Sequence, residues 1–268
     1  MALTAHLQDA YERQYRGGGS AWRETGARQK AKNIGEVTGG KRFGKVLEVG
    51  AGDGSLLQLL GQHLADELYA LEISDSALQR IRDRRIPQLR EAQRFDGYTI
   101  PYADQSFDLV VLSHVLEHVE FERKLLRELR RVARYQVIEV PKDYRFGVDR
   151  KVAHFLSYGH INVYTPSSLR FLLRSEGFRI LRERIGLYSR ATYEHLAFQS
   201  GGQSRKTTGK TFRSKLLWLA KRLLVSLPAA RLRDHFANTV TVLLEAKSEE
   251  VEIFGRPEQP PVRSSTLC

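Results

Sequence analysis

Short apolar segments recur along most of the chain and are separated by stretches with the spacing of amphipathic helices. Val46–Val49 and Leu109–Leu112 are mostly apolar runs, which is typical of strands buried in a parallel sheet. Phe121–Val132, after the second run, has the pattern of a strongly charged amphipathic helix. Thr165 and Pro166 are typical of a helix start. This alternation of strands and helices predicts an α/β fold.

A glycine cluster separates the first predicted strand from the helix after it. Gly50, Gly52 and Gly54 alternate directly after the strand, so bare backbone can approach a ligand beside the positive end of a helix. Glu72 ends the next strand, eighteen residues past Gly54, where a carboxylate can reach the hydroxyls of a bound nucleoside. The G-x-G-x-G spacing differs from the G-x-G-x-x-G of dinucleotide-binding folds.

Three sequence blocks carry a resemblance to a known family. The glycine cluster, with Glu48 before it and Glu72 after it, resembles motif I and the following acidic motif of class I S-adenosylmethionine-dependent methyltransferases. Residues 95–119 hold Asp96 five positions before a proline, then Ser-Phe-Asp, an apolar strand and Val-Leu-Glu-His. This block, and the His-x-Asn-x-Tyr-Thr-Pro pattern of residues 160–166, resemble the type-11 methyltransferase domain family. The Gly-Tyr pair after the acid is a modest departure from that family.

The resemblance implies a Rossmann-like, doubly wound sheet of seven mostly parallel strands with the last strand antiparallel. It covers roughly residues 44–188 and 238–246. In this family the segment before the first strand often closes over the site, so an N-terminal helical lid is expected. The lid is predicted at residues 1–40 and the methyltransferase domain at 41–246. Within that domain, residues 191–236 are predicted to form a basic helical insertion before the last strand, and residues 247–268 after it to form a disordered tail.

The resemblance also implies S-adenosyl-L-methionine as cofactor and assigns roles around it. The glycine cluster would admit the methionine and ribose, and Glu48 would stiffen that loop. Glu72 would accept hydrogen bonds from both ribose hydroxyls, and Ile73 would flank the adenine. Asp96 would accept from the adenine amino group, and Ser113 would line the sulfonium side. The predicted cofactor-binding residues are Glu48, Gly50, Gly52, Gly54, Glu72, Ile73, Asp96, Gly97 and Ser113.

Methyl transfer to an oxygen can need a general base, and two histidines follow sheet elements near the expected crevice. His114 and His160 are therefore the candidate catalytic residues, although each can equally be structural. Glu117 and His118 are predicted instead to cap or pack a helix. The spacing of His, Asp and Glu residues indicates no metal site.

Composition limits the location and chemistry of the chain. The 268 residues are 41% hydrophobic, but no apolar run approaches the ~20 residues that a membrane-spanning helix needs. The first residues lack the pattern of a signal peptide, so a cytoplasmic protein is expected. Cys268 is the only cysteine, which excludes an internal disulfide and a thiolate zinc site.

The net charge of +12 is concentrated in the predicted insertion. Nine basic residues and one acidic residue lie within 201–235, giving +8 there. Residues 212–227 have an apolar helical face opposite basic residues, which suits an anionic membrane surface at 205–233 or a helix packed on the domain. The former would place the protein peripherally at the inner face of the membrane.

Several functions remain open from the sequence. A small-molecule methyltransferase is favoured, with O-methylation of a saccharide, lipid, quinone or secondary metabolite. An RNA methyltransferase is disfavoured because Leu112–Val115 stands where base N-methyltransferases carry Asn/Asp-Pro-Pro-Tyr/Phe, and nucleic acid is an unlikely partner. A non-enzymatic membrane- or partner-binding scaffold is a further alternative, and a nicotinamide dehydrogenase is a weaker one. The oligomeric state is not predicted.

Overall fold

The computed structural model describes residues 5–16, 21–144, 147–190, 192, 208–226 and 230–247. They form one sheet of seven strands with helices around it, in the order β3-β2-β1-β4-β5-β7-β6. The strands are β1 Phe43–Val49, β2 Ala65–Glu72, β3 Leu89–Arg94, β4 Phe107–Ser113, β5 Ala133–Pro141, β6 Phe178–Gly186 and β7 Thr239–Ala246.

Helices connect these strands along the chain. They are α1 Ala5–Arg16, α2 Ala21–Thr38, α3 Ser55–His63, α4 Asp75–Asp83, α5 Glu122–Val132, α6 Val152–Leu156, α7 Pro166–Ser175, α8 Thr208–Ser226 and α9 Ala230–Phe236. Short 3-10 turns occupy Leu116–His118 and Val148–Lys151. No helix among the described residues is both long enough and apolar enough to cross a membrane.

The predicted fold class is confirmed. Strands β1 to β5 pair in parallel, and β7 runs antiparallel to both β5 and β6. Because successive side chains of a strand point to opposite faces, the sheet carries a hydrophobic cluster on each face. Leu47 and Val49 of β1 belong to one cluster, and Val46 belongs to the other. Parallel pairing brings the carboxyl ends of β1, β2 and β4 to one edge of the sheet.

Local capping chemistry follows the sequence closely. Thr165 accepts a hydrogen bond from Ser168 N, Ser168 reciprocates, and Pro166 begins α7.

The first helix packs onto the domain at the start of α4. Glu12 accepts a hydrogen bond from Ser74 Oγ at 2.7 Å and another from Ser76 Oγ. These two bonds lower the pKa of Glu12 to about 2. Arg80 of α4 donates from Nε to the carbonyl oxygen of Tyr15 at 3.0 Å. Helix α1 therefore lies beside the crevice where β2 ends.

Helix α8 makes a different kind of contact. Trp218 donates a hydrogen bond from its indole nitrogen to the carbonyl oxygen of Tyr188 at 3.2 Å. The face formed by Leu216, Leu219 and Leu223 is exposed instead, with relative accessibilities of 60%, 45% and 68%. The expectation that this apolar face packs on the domain is therefore wrong for these leucines.

Candidate functional site

The loop after β1 needs glycine at each position of the cluster. Gly50, Gly52 and Gly54 have φ values of 73°, 56° and 76°, a conformation that side chains rarely adopt. A Cβ on Gly50 would lie 2.4 Å from a methyl group of Val115. Gly54 caps α3, so the loop passes directly into a helix N-terminus. The structure thus forms the predicted strand–turn–helix at the edge of the sheet.

Two residues outside the predicted set hold this loop in place. Asp53 accepts hydrogen bonds at Oδ1 from Ser55 N at 3.1 Å and from Ser55 Oγ at 2.6 Å. Arg84 donates from Nε to the Asp53 carbonyl oxygen at 2.5 Å. Arg84 follows α4, so no local sequence signal links it to the glycine loop.

Glu72 lies at the end of β2, as predicted, and its carboxylate already accepts three hydrogen bonds from backbone N–H groups. Its Oε2 accepts from Gly52 N at 2.7 Å, and its Oε1 accepts from Ile73 N at 2.8 Å and Ser74 N at 3.1 Å. Burial is the largest influence on this carboxyl and raises its pKa, against the three backbone donors. Since a carboxylate has about four acceptor sites, two ribose hydroxyls would have to replace a donor such as Gly52 N.

Two buried oxygens at the crevice have no hydrogen-bond partner among the described residues. They are Glu48 Oε2 and Ser113 Oγ, in side chains that are 3% and 6% exposed. Burial raises the pKa of Glu48 to about 8. A buried polar atom without a partner is costly, so these two atoms suit a polar ligand. Glu48 is predicted to stiffen the loop, but its Oε2 makes no hydrogen bond to any described residue that would do so.

Asp96, the carboxylate predicted to contact adenine, accepts hydrogen bonds from the backbone of the turn that follows it. Asp96 accepts from Tyr98 N at 2.8 Å and Thr99 N at 2.6 Å through Oδ1, and from Thr99 Oγ1 at 3.0 Å through Oδ2. Gly97 has a φ of 91°, which permits this tight turn. The Asp96 carboxylate still has acceptor sites for an amino group. Its contact with adenine stays a prediction, as does that of Ile73, which packs against the core.

Helix α1 covers the glycine loop. The Tyr15 hydroxyl lies 2.7 Å from the position that a Cβ on Gly52 would take. Arg23 of α2 lies over the Tyr15 ring, with its guanidinium carbon 4.8 Å from the ring centroid. The N-terminal segment therefore touches the predicted cofactor loop, and Tyr15 must move if a ligand is to occupy that space.

His114 follows β4 in a left-handed conformation, with a φ of 57°. Its Nδ1 lies 3.4 Å from Glu117 Oε1, and its Nε2 lies 3.3 Å from Glu139 Oε1. Glu139 in turn accepts from Asn33 and Thr241. Burial lowers the pKa of His114 well below its usual range, so its imidazole is neutral near pH 7.

His160, the second candidate base, contacts the carboxylate of Asp143. His160 Nδ1 is 2.5 Å from Asp143 Oδ2, and this hydrogen bond outweighs burial and raises the pKa of His160. The structure brings His160 together with Glu117 and His118, so that one possible ligand atom from each lies within 4.8 Å of the others. The two candidate bases therefore flank one buried carboxylate, Glu117.

Of the two roles expected for Glu117 and His118, capping a helix is wrong, whereas the burial of Glu117 agrees with packing. The 3-10 turn that contains them has no side-chain cap, and neither carboxylate oxygen of the fully buried Glu117 has a hydrogen-bond partner among the described residues. The sequence showed no metal-ligand spacing because the third member, His160, comes 42 residues after His118. Only the tertiary fold brings the three side chains together.

Comparison with known proteins identifies the family. Residues 21–183, more than half of the chain, match a family described as a methyltransferase domain. The chain therefore belongs to this methyltransferase family, and S-adenosyl-L-methionine is the cofactor indicated by that membership. The three most specific features of the sequence, the glycine loop, Asp96 and the Val-Leu-Glu-His turn, all lie inside the matched range.

Three curated relatives cover parts of the chain. A malonyl-[acyl-carrier protein] O-methyltransferase of Halorhodospira halophila is 38% identical over 33% of this chain and 30% of its own length. A demethylmenaquinone methyltransferase of Thermotoga maritima is 26% identical over 51% and 70%. A phosphatidylethanolamine N-methyltransferase of Cereibacter sphaeroides is 29% identical over 35% and 47%. The matches thus span less than half the length of two of these relatives.

Solved structures share the fold at low sequence identity. A Haloferax volcanii methyltransferase described in complex with the Trm112 activator has a TM-score of 0.60 at 13% identity, covering 92% of this chain and all of that one. A Haemonchus contortus phosphoethanolamine N-methyltransferase described with S-adenosyl-L-methionine has a TM-score of 0.55 at 12% identity, covering 82% and 52%. These likenesses concern the fold alone.

The residues of the crevice fit this cofactor. The three left-handed glycines leave backbone accessible, and the Ser113 hydroxyl can take a hydrogen bond that no described residue supplies. Glu72 provides a carboxylate beside the glycine loop, and Asp96 provides a second carboxylate after β3. Their individual contacts with the cofactor stay predictions.

Burial of Glu48 predicts a pH-dependent gain in stability on substitution. Glu48 stays protonated in the folded chain up to pH about 8, whereas the free side chain ionises near pH 4.5. Ionisation in the unfolded chain therefore lowers the free energy of unfolding as the pH rises through this window. For Glu48→Gln, we expect the stability relative to the native chain to rise by up to about 1.4 kcal/mol per pH unit between pH 5 and pH 8.

Urea unfolding at both pH values measures this difference. Burying the glutamine amide in the Glu48→Gln variant changes the free energy of unfolding by the same amount at pH 5 and at pH 8, so this contribution cancels when the two values are subtracted. Glu67→Gln, at a partly exposed carboxylate paired with Arg90, controls for the loss of a carboxylate on a neighbouring strand. An equal effect of Glu48→Gln at pH 5 and pH 8 would contradict the assignment of a buried, protonated Glu48.

Proposed function

We propose that this chain transfers a methyl group from S-adenosyl-L-methionine to an oxygen atom of a small-molecule acceptor. The observation that carries the proposal is the crevice itself. The glycine loop, Glu72, the unpartnered hydroxyl of Ser113 and the neutral imidazole of His114 lie together at the carboxyl ends of β1, β2 and β4. This edge is where open α/β sheets bind ligands.

The chain contributes binding and alignment to this reaction. When bound, the cofactor supplies a methyl group on a sulfonium, which is a good leaving group. The crevice therefore mainly has to hold the acceptor oxygen in line with that methyl group, an effect that can supply about 7–11 kcal/mol of the barrier. Helix α1, fixed by Glu12 to the start of α4, covers the glycine loop through Tyr15.

His114 is the base in this proposal. Its imidazole is neutral, and its Nε2 faces Glu139, which Asn33 and Thr241 hold in place. With the proton of the neutral ring on Nε2, which faces Glu139, the lone pair lies on Nδ1 and would accept the proton of an acceptor hydroxyl that reaches Nδ1 beside Glu117. A positioned base of this kind contributes about 10²–10⁴-fold. His160 is the alternative base, since the bond from its Nδ1 to Asp143 raises its pKa and leaves the lone pair of the neutral ring on Nε2.

The acceptor class is supported by the names of the relatives. One relative methylates an oxygen of a carrier-bound malonyl group, and the other two are named for a menaquinone precursor and a phospholipid. Each has an acceptor that is not a nucleic acid. These names favour a small or lipid-linked acceptor over RNA; the first name specifies oxygen as the methylated atom, and the third specifies nitrogen. The scaffold alternative, without catalysis, predicts no transfer to any of them.

A second proposal concerns the basic segment within 205–233. Leu216, Leu219 and Leu223 form an exposed apolar face of α8 in a region that carries +8. We propose that this face lies on an anionic lipid surface, where apolar burial and charge attraction act together. Such binding would hold the protein at a membrane and would suit a lipid-soluble acceptor.

The catalytic proposal predicts transfer to oxygen that depends on His114. We expect methyl-labelled cofactor to label a hydroxyl or carboxyl acceptor in a panel that also contains a quinone ring and an amine. We expect His114→Asn, which tolerates the left-handed backbone, to lower kcat about 10²–10⁴-fold while the KM for the cofactor is unchanged. Steady-state kinetics measure both constants.

The control for this variant is His63→Asn, at an exposed histidine at the end of α3. It should leave kcat unchanged. Labelling of the amine or ring carbon alone would overturn the oxygen acceptor. An unchanged kcat for a folded His114→Asn variant would overturn the base.

The membrane proposal predicts salt-sensitive binding to anionic vesicles. We expect the protein to sediment with phosphatidylglycerol-containing vesicles and to be released as the salt concentration rises, because exposed charges are screened. Replacing Leu216, Leu219 and Leu223 together with serine should reduce the bound fraction several-fold. Phe171→Ser, at an exposed aromatic residue on α7, is the matched control. Equal sedimentation of the triple variant would contradict the proposal.

A further inference from the structure

A buried carboxylate without a hydrogen bond stands at the centre of an unexplained cluster. Glu117 is fully buried, and neither of its carboxylate oxygens has a hydrogen-bond partner among the described residues. Its Oε1 lies 3.4 Å from His114 Nδ1 and 3.8 Å from His118 Nε2. A buried charge is costly unless it is paired or bound to a metal. The methyl transfer proposed above gives Glu117 no role that would offset this cost.

Hydrogen bonding fixes which nitrogen of His118 can act as a ligand. Its Nδ1 lies 2.9 Å from the carbonyl oxygen of Gly159, which can only accept. The proton must therefore be on Nδ1, and in the neutral ring the lone pair is on Nε2. This is the nitrogen that faces Glu117.

His160 is arranged in the same way by a carboxylate. Asp143 accepts from Nδ1 at 2.5 Å, which leaves the lone pair of the neutral ring on Nε2. The rings of His118 and His160 meet edge to face with centroids 4.8 Å apart. An imidazole that donates its second nitrogen to a carboxylate or a backbone carbonyl is the usual arrangement of a metal-binding histidine.

Backbone hydrogen bonds hold the two segments of the cluster together. The carbonyl oxygen of Glu117 accepts from Ile161 N and Asn162 N, both at 3.0 Å. Asn162 also donates from Nδ2 to the carbonyl oxygen of Val119 at 2.7 Å. The segment after Gly159 is thereby fastened to the 3-10 turn. The cluster is a built part of the fold rather than a chance approach of surface side chains.

We propose that Glu117, His118 and His160 bind one divalent transition-metal cation. Two imidazoles and one carboxylate suit zinc, iron or cobalt, whereas magnesium and calcium prefer oxygen ligands alone. The ligand atoms lie within 4.8 Å of one another. Tetrahedral bonds of about 2.0–2.1 Å require separations of about 3.3 Å, so side-chain rotations moving these atoms by about 1 Å complete the site.

Three protein ligands leave at least one coordination position open. The cluster lies beside His114, and the Tyr11 ring covers His118 edge-on with ring centroids 5.7 Å apart. If the open position takes an oxygen of the acceptor, the cation would hold that oxygen near His114. This consequence rests on the methyl transfer proposed above, whereas the metal site itself rests only on the geometry of the cluster.

Metal titration of the full chain tests the site without any assay of activity. The protein is first treated with a chelator and dialysed, and then titrated with Co²⁺ by absorption and with Zn²⁺ by calorimetry. We expect one equivalent to bind with micromolar or tighter affinity. Glu117→Gln and His118→Ala should each weaken binding at least tenfold. The matched control, His63→Ala at an exposed histidine far from the cluster, should not change it.

A second measurement on the native chain does not depend on the folding of the variants. X-ray absorption of the cobalt-loaded protein should show two imidazole ligands. No binding by the folded protein, equal binding by a folded Glu117→Gln variant, or absence of imidazole scattering would each overturn the site. Failure of methyl transfer with intact metal binding would instead contradict only the function proposed above.

Discussion

Burial of four glutamates at the carboxyl edge of the sheet is the constraint on which the site depends. Glu48, Glu72, Glu117 and Glu139 are each at most 4% exposed, and burial is the largest influence raising the pKa of every one. The energetic cost of burying each carboxyl group is offset in a different way at each position. Backbone N–H groups hold Glu72, side chains of α2 and β7 hold Glu139, and Glu48 stays protonated. Burial also raises the pKa of Glu117 to about 7, but neither of its carboxylate oxygens has a hydrogen-bond partner among the described residues, and the proposed cation would supply that partner.

Sheet topology brings these groups together. Parallel pairing of β1, β2, β4 and β5 collects their carboxyl ends at one edge, and antiparallel β7 closes the other side of β5. Side chains that follow strands far apart in the sequence therefore lie in one crevice. Helix α1 then covers the crevice through Tyr15 and Tyr11. The same arrangement explains why the cofactor loop and the histidine cluster are neighbours rather than separate sites.

Local patterns predicted the strands, the helices and the glycine turn after β1 because the determining interactions are local, whereas the seven-stranded sheet followed from the family resemblance. Apolar runs mark the strands, left-handed glycines mark the turn, and Thr165 with Ser168 marks a helix start. Local patterns failed where a partner lies far along the chain. No spacing rule could pair Glu117 with His160, relate Arg84 to Asp53, or show that α1 reaches Gly52. The exposure of Leu216 and Leu223 was equally beyond reach, since an amphipathic helix has the same pattern whether its apolar face is covered or open.

The central claim is that the crevice after β1 binds S-adenosyl-L-methionine, and calorimetric titration with S-adenosylhomocysteine tests it most directly. The account predicts one site with micromolar affinity in the native chain. It also predicts that binding is lost on Glu72→Ala and retained on Glu67→Ala, with both variants shown to be folded by circular dichroism. Absence of binding by well-folded native protein, or undiminished binding by Glu72→Ala, would contradict the account.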